Sequence, residues 1–375
     1  MSDVSTPAVG GTDIMRFIKA NIRDTALLLS LLAIMVFFQF TTGGVLFKPV
    51  NMTNLILQNS YIVIMALGML LIIIAGHIDL SVGSVSGFVG SVAAIMMVPW
   101  KMDPFVTMAA CLALGAAIGG VQGYFVAYHK IPAFIVTLAG MLIFKGLSLT
   151  VLGGASVGPF PKEFQLLSSG FVPDIFSVQL FGGPFNLLAL LIGGGVTTLI
   201  IYFNTKERHE QQAHGMAEEP HSIFLGRNIL IAAAFMGFSF LMARYKGLPN
   251  VLIVMFALIA LFVFITTRTT FGRRVYAMGG NEKASKRSGI NTERMTFLIF
   301  VIMGALAALA GLIFAARLNV ATPKAGLGFE LEVIAACFIG GAAVTGGVGK
   351  IIGAVIGAFI IGVMNNGMSI MGVGI

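Results

Sequence analysis

The sequence predicts an all-α, polytopic membrane protein, and three observations carry that prediction. Of the 375 residues, 57% are hydrophobic and only 10% are charged, whereas soluble domains carry about a quarter charged residues. The apolar runs far exceed the roughly ten residues of a membrane β-strand. The basic residues concentrate in a few polar segments, as the positive-inside rule requires of cytoplasmic loops. We expect about ten transmembrane helices, some of them discontinuous, in a single domain that covers residues 1–375.

The first half of the chain contains five apolar segments of membrane length. They are expected to span the membrane at residues 25–40, 55–75, 85–98, 106–128 and 133–151. Basic residues before the first span predict a cytoplasmic N-terminal segment, residues 1–24. The run G-H-I-D-L-S-V-G at 76–83 breaks the second span from the third. A Gly/Pro/Ser-rich connection at 152–184 carries few charges and is expected to face outward.

The second half contains further spans that are separated by polar segments. They are expected at residues 185–203, 229–243, 251–266 and 295–316, followed by an apolar, glycine-rich tail. A polar insert at 204–228 is expected to be a mobile cytoplasmic loop. The tail contains a second break at 340–350. The two breaks can be equivalent parts of an inverted repeat.

The most basic part of the chain is residues 267–294, called the basic segment below, with seven basic residues against two acids. Residues 282–288 within it are predicted to form a short helix. The residues that cap this helix or complement its dipole are Asn281, Glu282, Lys286, Arg287 and Gly289. Such a segment either only fixes topology or presents a docking helix to a soluble partner, and the composition leaves both open.

Asp79 lies in the first break, inside a hydrophobic stretch. An acid in that setting usually pairs, caps a helix or lines a polar cavity. Its carboxylate can accept from the amide of Ser81 or Val82 and cap the third span, or it can line a pathway. Three neutral polar residues inside apolar runs suit either a pathway or interhelical hydrogen bonds: Gln122, Asn365 and Asn366. Arg317, near the outer end of a span, either snorkels to the interface or contacts a hydroxyl-rich ligand or a partner.

The sequence gives no support for chemistry on this chain. Residues 346–350, G-G-V-G-K, approach a phosphate-binding loop, but that pattern needs glycine at Val344 and serine or threonine at Ile351. Any ATP hydrolysis is therefore expected on another polypeptide. No catalytic residue, metal ligand or cofactor is assigned, and Cys111 and Cys337 imply no disulfide framework. The net charge of +8 is assigned to cytoplasmic loops and not to nucleic-acid binding.

Runs of residues along nearly the whole chain carry a family resemblance. They are I-D-L-S-V-G-S at 78–84, V-T-L-A-G-M at 136–141, F-G-R-R-V-Y-A-M-G-G-N-E-K-A-S-K-R-S-G-I-N at 271–291, A-G-L-I-F-A-A-R-L at 310–318, E-V-I-A-A-C-F-I-G-G-A-A-V-T-G-G-V-G at 332–349 and N-N-G-M-S at 365–369. The chain resembles the membrane subunits of the ribose/xylose/galactose family of ABC sugar importers. The extra segment from 204 to about 250 resembles the xylose-type or multiple-monosaccharide-type branch. Members of the family continue with a further span, so this chain is expected to be truncated or to lack that closing helix.

The resemblance implies a permease subunit in the bacterial cytoplasmic (inner) membrane. Two copies would form a homodimer that translocates a monosaccharide of the xylose, arabinose, galactose or glucose type. A periplasmic or extracellular sugar-binding protein would deliver the sugar, and ABC ATPase subunits, which hold ATP and Mg²⁺, would power transport. The implied ATPase-coupling residues are Asn281, Glu282, Lys283, Ala284, Lys286, Arg287 and Gly289. The residues assigned to the translocation pathway are Asp79, Ser81, Gln122, Asn365 and Asn366.

The alternative function is a stand-alone secondary sugar transporter or channel. That class needs coupling residues such as paired intramembrane acids, and Asp79 is the single clear candidate in the sequence. A membrane-embedded enzyme is a third reading, which no nucleophile–base pair or metal set supports.

Overall fold

The computed structural model describes residues 22–174, 176–180, 183–213 and 221–373. Within these ranges the chain forms fourteen α-helices and one two-stranded β-hairpin. The elements in chain order are α1 (Ile22–Thr41), α2 (Pro49–Ile74), α3 (Val82–Met97), α4 (Pro104–Ala127), α5 (Ala133–Val151), α6 (Lys162–Gln165), β1 (Ser177–Leu180), β2 (Gly183–Asn186), α7 (Leu187–Ala213), α8 (His221–Ala243), α9 (Asn250–Arg268), α10 (Thr270–Gly280), α11 (Glu282–Arg287), α12 (Thr292–Leu318), α13 (Phe329–Ile339) and α14 (Ile351–Ile370). Of the predicted cytoplasmic N-terminal segment, residues 1–21 lie outside the described ranges.

Helices of membrane length dominate the fold. In the described part of the chain, eight helices are long and apolar enough to cross a membrane, namely α2, α4, α5, α7, α8, α9, α12 and α14. Two shorter apolar helices, Ala26–Thr41 within α1 and Val82–Met97, accompany them. The predicted fold class, a polytopic helical membrane protein, is confirmed.

The chain divides into two compact units, each with its own internal packing. The larger unit consists of Ser30–Leu46, Thr53–Phe171 and Pro249–Ile375. The smaller unit consists of Met1–Leu29, Phe47–Met52 and Val172–Leu248, and its described part begins at Ile22. The expectation that residues 1–375 act as one permease domain stays a prediction.

Helix α2 is the most enclosed span of the larger unit, since 89% of its most apolar window is buried. A helix that is apolar on every face is stable where neighbours surround it. The side-chain amide of Asn59 donates to the carbonyl oxygen of Ala358 on α14 (2.9 Å). The thiol of Cys337 on α13 donates to the carbonyl oxygen of Ala66 (3.5 Å). Helix α2 therefore contacts both helices that flank the second break.

Glycines spaced four residues apart bring helices into close approach, as small residues do in membranes. A Cβ atom at Gly115 on α4 would overlap the carbonyl oxygen of Gly304 on α12. A Cβ atom at Gly357 on α14 would overlap the carbonyl oxygen of Ala336 on α13. These two helix pairs can pack at this distance only because glycine leaves the space.

Both breaks predicted from the sequence are non-helical. Residues 75–81 separate α2 from α3, and residues 340–350 separate α13 from α14. Helix α13 has 11 residues and rises about 16 Å, too little to cross a hydrocarbon core of roughly 30 Å. The discontinuous helices are therefore confirmed, whereas the relation of the two breaks by an inverted repeat stays a prediction.

The smaller unit contains a hairpin that the sequence did not predict. Strands β1 and β2 pair antiparallel with Ser177 opposite Asn186. The Asn186 side-chain oxygen then accepts from the backbone N–H of Ala189 (2.9 Å) at the start of α7. The expected span at 185–203 therefore begins two residues later than predicted, because β2 occupies its first residues.

The polar insert at 204–228, predicted to be a mobile loop, is helical in its described residues, and that prediction is wrong there. Helices α7 and α8 extend into the insert from both sides, while residues 214–220 lie outside the described ranges. The run K-E-R-H-E-Q-Q-A at the end of α7 consists mostly of good helix formers. Its Lys206 and Glu210 form an ion pair at 3.9 Å with the i,i+4 spacing that supports a helix.

Candidate functional site

The basic segment contains three consecutive helix starts, and a polar side chain caps each of them. The hydroxyl oxygen of Thr269 accepts from a backbone N–H in the first turn of α10 (3.2 Å). The side-chain oxygens of Asn281 and Asn291 do the same for α11 (2.9 Å) and α12 (2.8 Å). The predicted Asn281 cap is confirmed. Helix α10 was not predicted, because its polar, glycine-containing sequence resembles a loop.

Gly289 closes α11 in the way that the sequence predicted. Its backbone is left-handed, with φ +84°. The N–H of Gly289 donates to the carbonyl oxygen of Lys286 (3.1 Å), and the N–H of Ile290 donates to that of Ser285 (3.1 Å). This pair of bonds is the Schellman motif, which satisfies carbonyl groups left open at a helix end. Helix α11 is therefore fixed at both ends, although it ends one residue before the predicted boundary.

An ion-pair network ties α11 to two neighbouring parts of the chain. The Nζ atom of Lys130, in the turn between α4 and α5, lies 3.3 Å from Oε1 of Glu293 and 4.0 Å from Oε1 of Glu282. Lys286 donates a hydrogen bond to the same Glu293 carboxylate. That hydrogen bond raises the pKa of Lys286 above its usual value, because it favours the charged form of the side chain. Sequence analysis missed this network, since Lys130 is more than 150 positions from Glu282.

The basic segment presents its charge to the outside of the molecule. All seven basic residues are exposed, namely Arg268, Arg273, Arg274, Lys283, Lys286, Arg287 and Arg294. Within α11, Ser285 is buried and the other residues, including Glu282 and Ala284, are exposed. The helix is thus held by its caps and ion pairs, and most of its surface is accessible to another molecule.

Helix α10, which immediately precedes α11, contacts the end of α2 and the second break. The N–H of Gly347 in the second break donates to the carbonyl oxygen of Ile74 at the end of α2 (2.8 Å). Gly279 on α10 packs against that same bonded pair, because a Cβ atom there would overlap the Ile74 oxygen and lie 2.7 Å from the Gly347 nitrogen. The hydroxyl of Tyr276 donates to the carbonyl oxygen of Gly349 (2.6 Å).

We call this set of contacts the glycine junction, comprising residues 74–76, 279–280 and 346–349. Gly346 and Gly347 adopt left-handed backbones, with φ +82° and φ +73°, which residues with a Cβ atom rarely adopt. The end of the first long helix, the second break and the basic segment therefore meet at one point. The sequence identified each of the three parts but did not show that they touch.

Three of the predicted pathway residues form one buried cluster beside the first break. The carboxylate of Asp79 accepts from the backbone N–H of Ser81 (2.8 Å) and from its hydroxyl (2.7 Å). The side-chain amide of Gln122 on α4 donates to the Ser81 hydroxyl oxygen (2.9 Å). Gly140 on α5 leaves room for this contact, since a Cβ atom there would overlap the Gln122 amide nitrogen. We call Asp79, Ser81 and Gln122 the Asp79 cluster.

Asp79 makes part of the capping contact that was predicted. Its carboxylate accepts from the Ser81 amide, but Ser81, not Asp79, occupies the N-cap position of α3, and its side chain makes no capping hydrogen bond. The carboxylate therefore organises the turn that leads into α3. It is 3% exposed, and burial of an acid on this scale fits a structural or a pathway role.

The other two predicted pathway residues lie on α14, outside the Asp79 cluster. The amide of Asn365 donates to Oε1 of Glu332 on α13 (3.3 Å), and Asn366 is buried. Glu332 is a further acid beside the apolar segments, and sequence analysis did not single it out. Glu332 lies in the first turn of α13, where a glutamate usually indicates only a helix N-terminus. In the described residues, no three His, Cys, Asp or Glu side chains come together to hold a metal ion.

Comparison with known proteins decides the family. A family model described as "Branched-chain amino acid transport system / permease component" matches residues 51–373, which include both breaks and the basic segment. The chain belongs to this permease family. The permease is 38% identical over 371 residues to the xylose transport system permease protein XylH of Escherichia coli (strain K12), covering 99% of this chain and 91% of that relative.

Two further relatives cover the permease almost as fully. It is 39% identical over 355 residues to the protein of the same name from Haemophilus influenzae (strain ATCC 51907 / DSM 11121 / KW20 / Rd), covering 95% of this chain and 92% of the relative. It is 33% identical over 359 residues to the ribose import permease protein RbsC of Escherichia coli (strain K12), covering 95% and 89%. No solved structure matches the permease.

Proposed function

We propose that this permease is the membrane-spanning subunit of an ATP-driven ABC importer that translocates a monosaccharide of the xylose, arabinose, galactose or glucose type. Relatives named for xylose and ribose transport align with at least 95% of the chain, which supports a sugar of this size. The observation that carries the proposal is the glycine junction, because through α10 it connects an exposed, capped helix to the end of α2 and to the second break.

In this proposal α11 is the coupling helix for a separate ATPase subunit, which holds ATP and Mg²⁺. Its exposed residues, Glu282, Lys283, Ala284, Lys286 and Arg287, would meet that subunit, while Asn281 and Gly289 keep the helix rigid. A displacement of α11 moves α10, since Asn281 is shared by the two helices as the end of one and the cap of the next. Helix α10 in turn displaces Ile74, Gly347 and Gly349 through the glycine junction, so the end of α2 and the second break respond to one movement.

The Asp79 cluster, Asn365 and Asn366 are proposed to line the pathway. A monosaccharide is neutral and carries several hydroxyl groups, each a donor and an acceptor, so amide, hydroxyl and carboxylate side chains match it. We propose two copies of the chain in the bacterial inner membrane, with cytoplasmic N-termini and with an extracytoplasmic binding protein that delivers the sugar. The seven exposed basic residues of the basic segment support this orientation.

The proposal is tested by uptake into proteoliposomes that hold this permease and its ATPase. We expect uptake of D-xylose or D-ribose that requires ATP and stops when the ATPase is omitted. Uptake driven by a proton or sodium gradient in vesicles that hold the permease alone would favour the alternative, a secondary transporter. Absence of uptake for every monosaccharide tested, with the binding protein present, would refute the sugar-importer function.

A further inference from the structure

Polar and aromatic side chains from four helices meet at the end of α12 that is remote from the basic segment. They are Tyr61 on α2, Phe314 and Arg317 on α12, Phe329 and Glu332 on α13, and Asn365 on α14. We call these six residues the distal cluster. Arg317 lies about 37 Å along α12 from Thr292, at a rise of 1.5 Å per residue. The cluster is therefore separate from the glycine junction.

The aromatic part of the distal cluster is a contact set of three rings. The ring centroids of Tyr61 and Phe329 lie 4.7 Å apart, those of Tyr61 and Phe314 5.0 Å apart, and those of Phe314 and Phe329 5.1 Å apart. Each ring thus contacts the other two in tilted or edge-on geometry, which is favourable for aromatic pairs. The trio joins α2, α12 and α13 into one apolar wall.

The polar part lies against that wall. The amide of Asn365 donates to Oε1 of Glu332 at 3.3 Å, just beyond the usual range for such bonds. Arg317 follows Phe314 by three residues on α12, and Glu332 follows Phe329 by three residues on α13, so each lies on the same helix face as one ring of the trio. The distal cluster thus brings a carboxylate, a guanidinium, a phenol and an amide to one end of α12, and together they offer both donors and acceptors.

Ordinary structural roles explain only part of this arrangement. Glu332 in a first turn and Arg317 in a last turn complement the dipoles of their own helices. The helix dipoles do not explain Asn365 or Tyr61, which lie on two other helices, α14 and α2. All six residues keep some accessible surface, and polar groups at membrane depth are costly against lipid. The accessible side of the distal cluster is therefore expected to face a polar cavity or route.

We infer that the distal cluster is a sugar-binding subsite of the permease, where a monosaccharide is held before it reaches the Asp79 cluster. This inference rests on the proposed function. Neighbouring hydroxyl groups of the sugar would donate to the Glu332 carboxylate and accept from Asn365 and Arg317. The apolar C–H groups of the sugar would lie against the aromatic trio. The long Asn365–Glu332 hydrogen bond can be exchanged for bonds to the sugar at little cost, since weak bonds lose little when they break.

The first experiment compares variants in the proteoliposomes that contain the ATPase and the binding protein, with D-xylose and D-ribose as probes. Glu332→Gln removes the charge but keeps an oxygen that can accept from Asn365, so the fold is retained. Asn365→Ala removes the amide. We expect either variant to lower the uptake rate at saturating sugar at least tenfold, with unchanged ATPase association. The matched control is Ser369→Ala, at an exposed position one turn along α14, which is expected to transport at the wild-type rate.

The second experiment measures occupancy directly and does not depend on transport. A cysteine placed at Ala335, a partly exposed position one turn along α13 from Glu332, is alkylated by a small thiol reagent, with the native Cys111 and Cys337 buried. We expect millimolar D-xylose or D-ribose to slow alkylation at least threefold and an equal concentration of glycine betaine to leave it unchanged. No protection by either sugar, or wild-type uptake in both Glu332→Gln and Asn365→Ala, would overturn the subsite while the proposed function stands. If the wild-type protein itself takes up neither sugar, the proposed function fails, and the subsite fails with it.

Discussion

The hydroxyl of Tyr276 on α10 donates a 2.6 Å hydrogen bond to the carbonyl oxygen of Gly349. Gly349 lies in the second break, next to its last residue. No other side-chain bond described for the basic segment reaches either break of the membrane helices. Removing this bond therefore tests whether the glycine junction transmits movement.

We predict that Tyr276→Phe lowers ATP-driven uptake several-fold without weakening the association of the ATPase. The variant keeps the ring but removes a bond that contributes about 0.5–1.5 kcal/mol, so the junction persists with looser coupling. Uptake and ATP turnover are measured together, and ATP hydrolysed per sugar should rise. Tyr202→Phe, at an exposed ring of α7, is the control. Equal coupling in both variants would mean that this bond only stabilises the fold.

We predict that Gly279→Ala disrupts the glycine junction, whereas Gly280→Ala does not. A Cβ atom at Gly279 would overlap the Ile74 carbonyl oxygen, while nothing lies within 4 Å of one at Gly280. Forced overpacking costs about 1–3 kcal/mol, so the first variant should unfold at a lower temperature in detergent and transport poorly. The neighbouring glycine is a matched control that differs only in its surroundings. Similar behaviour of the two variants would contradict the packing described for this point.

We predict that Gly289→Val abolishes uptake while the protein inserts at normal levels, and that Gly289→Asn is tolerated. The position is left-handed with open space around it, so conformation and not volume decides the outcome. Asparagine enters the left-handed region far more readily than a β-branched residue. Co-purification with the ATPase and sugar uptake are the two measurements. If the Gly289→Val variant transports sugar normally, the closed end of α11 has no part in coupling.

We predict that Asp79→Ala impairs transport more than Asp79→Asn. Asparagine keeps an oxygen that can accept from the Ser81 amide, whereas alanine leaves a buried N–H without its partner, at a cost of about 1–3 kcal/mol. Membrane level, thermal stability and uptake are compared for the two variants. A folded alanine variant with no uptake supports the pathway role. Unchanged uptake in the alanine variant removes Asp79 from the pathway.

We predict that a cysteine at Ala284 is labelled only from the cytoplasm and a cysteine at Ser169 only from outside. Both positions are exposed, so a membrane-impermeant thiol reagent reports the side of the membrane and not burial. The native cysteines are buried and provide the background measurement. Labelling of the cysteine at position 284 in intact cells would contradict the cytoplasmic orientation proposed for the basic segment.

Much of the fold could be predicted because membrane helices are recognisable from their apolar composition. The fifth span was predicted at residues 133–151, the bounds that α5 has in the structure, since a histidine–lysine–isoleucine–proline turn and a glycine pair mark its ends. The capped helix α11 was also predicted, because its Asn281 cap and Gly289 closure are local signals. Local signals of this kind need no knowledge of distant parts of the chain.

The remaining features depend on contacts between residues that are far apart in sequence. The bonds from Gly347 to Ile74 and from Asn365 to Glu332 join segments whose separate sequences look like ordinary breaks and helix starts. Helix α10 was missed for a different reason: its stability comes from burial of Val275 and Met278, which a short polar window does not reveal. The helical ends of the 204–228 insert were missed because polar composition was taken to indicate a loop.

The glycine junction is made chiefly of main-chain atoms: the oxygen of Ile74, the nitrogen of Gly347 and the oxygen of Gly349. Substitution can break such a linkage but has little means of adjusting it by degrees, since every residue type offers the same N–H and C=O. The side chains of the Asp79 and distal clusters, in contrast, can be exchanged one at a time. In the proposed function, substrate preference therefore depends on side chains, whereas force transmission depends on main-chain atoms. On this proposal, the sugar specificity can be redesigned by exchanging side chains of the two clusters without changing the main-chain contacts of the glycine junction.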